Sequence, residues 1–134
     1  MLALLVRVWA LPVTLCGLVL AALALACGAR VRVHRGCVEC VGGELGQIVA
    51  ALPRPVGFVA ITLGHVVLAA SDDVLARVRA HEHAHVRQYE RWGALLLPAY
   101  VLASLWQLAR GGAPYHDNWF ERDARRRERE GAAA

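Results

Sequence analysis

Lysine is absent from this chain, and all 15 basic residues are arginine. With 11 acidic residues, the net charge is only +4. No long run of one sign occurs. The densest charge, Arg122 to Arg129, is interleaved with Asp123 and Glu128 and followed by Glu130. Mixed signs fit a solvated helical tail rather than the basic stripe of a nucleic-acid interface, so nucleic acid is not an expected partner. A second C-x-x-C pair is missing as well. Cys37-Val38-Glu39-Cys40 stands alone, which excludes a zinc ribbon. In an extended strand its two thiols point to opposite faces. Cys16 and Cys27 fall in apolar sequence and read as small hydrophobes. No internal repeat occurs, and 134 residues suffice for one small domain.

Charge is also missing from two segments of a chain that is 57% hydrophobic. Val8 to Ala29 would span about 33 Å as a helix, enough for a bilayer core of about 30 Å. Gly93 to Ala109 would span only about 25 Å and contains Pro98, Ser104 and Gln107, which suits a buried or interfacial helix. Residues 1–29 are therefore expected to form a single-pass membrane anchor. Ala24-Leu25-Ala26 has the form of a signal cleavage site, but the apolar region exceeds the usual length of roughly 7–15 residues. Arg30, Arg32 and Arg35 follow the segment and only Arg7 precedes it. The positive-inside rule then places the following domain in the cytoplasm, whereas cleavage would export it. The side stays open.

Beyond the anchor the pattern is α+β. Val31-Arg32-Val33-His34 alternates, and Phe58 to Leu63 and Val66 to Ala70 are rich in β-prone residues. Gly36, Gly42-Gly43 and Gly64-His65 supply turns, so residues 30–70 are expected to form a small, mostly antiparallel sheet. Ser71-Asp72-Asp73 then caps a helix whose core stripe is Val74, Leu75, Val78, Glu82, Val86 and Tyr89, ending at Gly93. A second helix covers Leu95 to Leu108. A third starts at Asp117 or Asn118 and runs through Arg129. The domain is expected over residues 30–130, with 131–134 as a disordered tail.

The first of these helices carries His81-Glu82-His83-Ala84-His85, an H-E-x-x-H motif. Residues four apart share a helix face, so His81 and His85 can offer two imidazoles to one metal ion. Glu82 stands about 100° further round and can reach a metal-bound water without ligating the metal. Such a site binds zinc through two His and a third protein ligand, and the carboxylate acts as general base. Glu121, one turn into the third helix, is the preferred third ligand; His116 and Asp117 are its rivals, with His65 behind them. His83, about 200° round from His81, falls outside the site. Gln88 returns to the motif face and either bonds a ligand or merely continues the helix. Tyr89, Tyr100 and Tyr115 are each candidates to stabilise an oxyanion or to pack.

His81-Glu82-x-x-His85-x-x-Gln88 followed by Asp117-Asn118-x-Phe120-Glu121-x-x-Ala124 resembles the small gluzincin-type zinc metallopeptidases, over residues 57–125. The resemblance implies zinc on His81, His85 and Glu121, with Glu82 as the catalytic base. It also implies that Phe58-Val59-Ala60-Ile61-Thr62 is the edge strand that pairs with an extended peptide. The expected function is a membrane-anchored peptidase acting on a peptide or protein substrate. The alternative is a non-catalytic membrane protein that uses zinc as a clip between helices.

Overall fold

The N-terminal run is mostly Leu, Ala and Val, with Pro12 tolerated inside it, and helix α1 extends from Leu2 to Ala26. It is long and apolar enough to cross a membrane. The structure, a computed structural model, describes residues 2–53 and 59–133. Strands β1 (Arg30–His34) and β2 (Cys37–Val41) form a hairpin. Its turn residues Arg35 and Gly36 both have positive φ, 49° and 79°, the twist a two-residue hairpin loop favours. Helix α2 (Gly43–Ala51) follows, then β3 (Ala60–Leu63) and β4 (Val66–Ala69). Phe58, expected to begin β3, lies outside the described residues.

The sheet runs in the order β1-β2-β4-β3. Its outer pairs are antiparallel, but the central β2–β4 pair is parallel, so the sheet is mixed rather than antiparallel throughout. The cause is α2. It carries the chain past the position beside β2 to the far edge, and β4 then returns between β2 and β3. Sequence alone hid this helix, because it opens on Gly43 and contains Gly46, both poor helix formers.

Each sheet face is covered by one helix. Cys37, Val41, Val67 and Ala69 pack on Leu75 and Val86 of helix α3 (Asp72–Trp92). Cys40 and Val66 on the opposite face pack on Ala21 and Ala24 of α1. The two thiols thus sit on opposite faces, both free, and burial pushes each above its usual pKa. α3 begins where expected: Ser71 Oγ accepts from Val74 N at 3.2 Å, a cap worth about 1 kcal/mol. It ends at Gly93, where φ is 57°.

A 3-10 turn (Gly93–Leu95) leads into α4 (Leu96–Ala109), and α5 covers Trp119–Ala132. α5 therefore runs past Arg129 into the expected tail. Asn118 caps it, accepting from Phe120 N at 2.9 Å. The same side chain donates to Tyr100 O at 3.0 Å and Ser104 Oγ at 2.8 Å, which ties α5 to α4. Ala10 and Val13 of α1 join Tyr89, Leu96 and Phe120 in a further core cluster. α1 is thus a wall of the domain along its length, not a free stalk. Its contact face is built from small residues. A Cβ on Gly17 would stand 2.8 Å from Leu63 O, and one on Gly93 would stand 2.5 Å from Trp9 Nε1.

Candidate metal centre

α3 presents His81 and His85 toward α5, and α5 presents Glu121 back toward them. The His81 and His85 Nε2 atoms are 3.1 Å apart. Glu121 Oε2 lies 3.1 Å from His81 Nε2, and its Oε1 lies 3.3 Å from His85 Nε2. Ligand atoms about 2.1 Å from a tetrahedral metal stand about 3.4 Å from one another. The three groups therefore match the edges of one coordination shell, and they can hold a metal ion. Glu121 is 3% exposed and each imidazole keeps 13%, so the cluster is largely covered and reaches solvent through the imidazoles.

A network of hydrogen bonds orients the clustered side chains. Gln88 Nε2 donates to Phe120 O at 2.9 Å and to Asp123 Oδ2 at 3.0 Å. Both partners only accept, so the amide orientation is fixed and Gln88 Oε1 must face His85. His85 Nδ1 then donates to it at 2.9 Å, which leaves Nε2 facing the cluster. On His81 the second ring nitrogen lies 3.6 Å from Glu128 Oε2. Tyr100 Oη donates to Glu121 Oε1 at 2.8 Å. Burial opposes ionisation of Glu121, but hydrogen bonds from His81, His85 and Tyr100 outweigh it and hold the carboxyl well below the usual range. Burial likewise disfavours a charged His85, yet the Glu121 carboxylate raises its pKa, so a metal ion would displace that proton on binding.

Glu82 is buried and is not one of the three clustered ligands. Its Oε2 accepts from Thr62 Oγ1 at 2.7 Å. Thr62 lies on β3, the edge strand, so one hydroxyl links that edge to the motif carboxylate. The sequence placed Thr62 on the expected edge strand, but nothing in it signalled the bond to Glu82. Of the rival ligands, His116 and Asp117 sit in the exposed loop before α5, where Asp117 accepts from Ala113 N at 2.9 Å. His65 bonds Thr14 and Glu90 instead. Tyr89 is buried in the core.

His83 turns to the other side of α3, toward the sheet. Its Nε2 lies 3.3 Å from Glu39 Oε1. Glu39, fully buried on β2, also receives Arg79 Nε at 2.9 Å and Arg32 Nε at 3.0 Å. Burial would raise its pKa, but these partners hold it lowered. The clamp fixes the register of α3 on the sheet two residues before His81.

Set against protein-family models, curated proteins and solved structures, the chain matches none. The functional reading therefore rests on the geometry of the site.

Proposed function

We propose that the protein is a membrane-associated, gluzincin-type zinc metallopeptidase. The convergence of His81 Nε2, His85 Nε2 and Glu121, with Glu82 buried beside them but outside the ligand set, is the observation that carries this reading. Two imidazoles and one carboxylate, which leave a fourth position for water, are the donor set of a hydrolytic zinc site. Zinc held by His81, His85 and Glu121 would lower the pKa of a bound water toward neutrality. Glu82 is placed to accept that water's proton as the oxygen attacks the peptide carbonyl, and to return it to the amine as the C–N bond breaks. Thr62 holds Oε2 of Glu82, which leaves Oε1 for the transfer. A peptide added along the free edge of β3 lies beside this carboxylate, because Thr62 belongs to both. Tyr115 is the tyrosine left to donate to an oxyanion, since Tyr100 serves Glu121 and Tyr89 is buried. Burial and the nearby Glu121 charge push Tyr115 up to about 12, so it keeps its proton at neutral pH. α1 supplies the membrane attachment.

A second reading has its own support. The ligands come from α3 and α5 alone, so zinc there also clips two helices together without catalysis. Glu82→Gln separates the two. The zinc-loaded full-length protein is expected to cleave an unfolded polypeptide, and Glu82→Gln to retain zinc while losing cleavage. Absence of cleavage by zinc-loaded wild type, or equal cleavage by Glu82→Gln, would leave the clip.

A further inference from the structure

The outer surfaces of α1 and α4 are apolar and wide. Leu18, Val19 and Leu20 are consecutive, so they sweep about 200° of the helix, and they are 40%, 61% and 45% exposed. On α4, Leu102, Leu105, Trp106 and Leu108 lie on one broad outward arc and are 54–66% exposed. One rigid partner helix would cover a narrower stripe; a fluid apolar medium covers such arcs whole. The two helices adjoin. Trp9 packs on Gly93, at the start of the turn into α4, and Ala10 and Val13 share a core cluster with Leu96 and Ala99. Aromatic and guanidinium groups accompany the apolar ones: Trp9 with Arg7 on α1, and Trp106 under Arg110, 5.6 Å from ring centroid to guanidinium carbon, on α4. These are residues that favour the headgroup level of a bilayer.

The fold also restricts how α1 meets lipid. Strand β1 runs back beside α1. Near one end, Glu44 N donates to Cys27 O at 3.1 Å; near the other, the Arg7 guanidinium approaches Gly36 in the hairpin turn, 3.2 Å from where a Cβ would stand. Along that interval the edge strand carries Arg30 and Arg32, paired with Asp72, and a row of backbone groups that faces no strand among the described residues. A bilayer perpendicular to α1 would hold these charges and that sheet edge at hydrocarbon depth, where unsatisfied backbone groups are not tolerated.

We infer that the protein docks on a phospholipid membrane as a monotopic unit, with α1 and α4 lying in the plane of one leaflet and α1 not crossing it. This placement is independent of the chemistry of the metal centre. It is tested on the full chain carrying an epitope tag at each terminus. Membrane-impermeant reagents reach both tags from the same side of the membrane. Tags on opposite sides would overturn the inference. A second measurement uses Leu102→Glu/Leu105→Glu, exposed positions whose change leaves the melting temperature intact. Binding to phosphatidylcholine/phosphatidylglycerol vesicles falls about tenfold or more. Unchanged vesicle binding, or a wild-type protein that forms a stable dimer and ignores vesicles, would show that lipid is not what covers this surface.

Discussion

Gln88 decides which nitrogen of His85 faces the candidate metal centre. Its Oε1 accepts from His85 Nδ1 at 2.9 Å because its amide nitrogen is committed to Phe120 O and Asp123 Oδ2. A side chain seven residues beyond His81 thereby joins the active helix, α5 and the ligand in one network. Asp123 is held in turn by Arg126 and Arg127, and despite the cost of burial these partners and Gln88 hold it at about 2, ionised throughout the neutral range.

Gln88→Ala should therefore weaken metal binding about 10- to 100-fold, the effect typical of losing a group that orients a ligand. Competition against a chelator measures it. Affinity equal to wild type would mean that packing alone orients His85.

Glu121→Ala should reduce affinity by orders of magnitude, since it removes one of three ligands. His116→Ala and Asp117→Ala should leave affinity unchanged, because both side chains lie in the loop outside the cluster. The same chelator titration compares all three.

Much of this site was legible in the sequence, for a physical reason. Helix geometry converts the spacing of His81 and His85 into one face, and Asn118 announces the start of the helix that carries Glu121. Spacing of seven likewise placed Gln88, and it would have placed Glu128 relative to Glu121. What stayed hidden depends on pairing between distant strands. Thr62 meets Glu82 only because β3 takes the edge next to β4, and Glu39 meets Arg79 and His83 only because β2 runs under α3. The parallel β2–β4 pair was hidden with them, since the glycine-bearing helix α2 that creates it has little propensity of its own. The packing of α1 was also invisible. Composition marks an apolar helix but says nothing of the small-residue face laid on Leu63, Val66 and Gly93.

The Glu39 clamp makes a statement about pH. Its pKa in the folded protein is below the ordinary 4.5, so its contribution is complete above that pH and is lost as pH falls through the folded value. Glu39→Gln should cost about 2 kcal/mol at neutral pH, less than the roughly 3–5 of a wholly buried pair because Arg32 and Arg79 keep contact with water. Thermal melts should show a gap between wild type and variant that is constant above about pH 4.5 and narrows progressively below it. A gap undiminished at pH 3 would assign the effect to packing.

Gly17 tests the seating of α1. A Cβ there meets Leu63 O and Val66 Cβ at 2.8 Å, so Gly17→Val should destabilise the protein by about 1–3 kcal/mol through overpacking. Leu18→Val, one residue away on the exposed arc, should change little. Equal melting temperatures for the two variants would mean that α1 does not pack on the sheet.

The most direct test is the metal content of the purified full-length protein, measured by elemental analysis beside His85→Ala. The account predicts one zinc per wild-type chain and almost none in the variant, with the fold of both intact by circular dichroism. A wild-type protein that takes up no zinc when it is supplied, or zinc retained in full by His85→Ala, would contradict it.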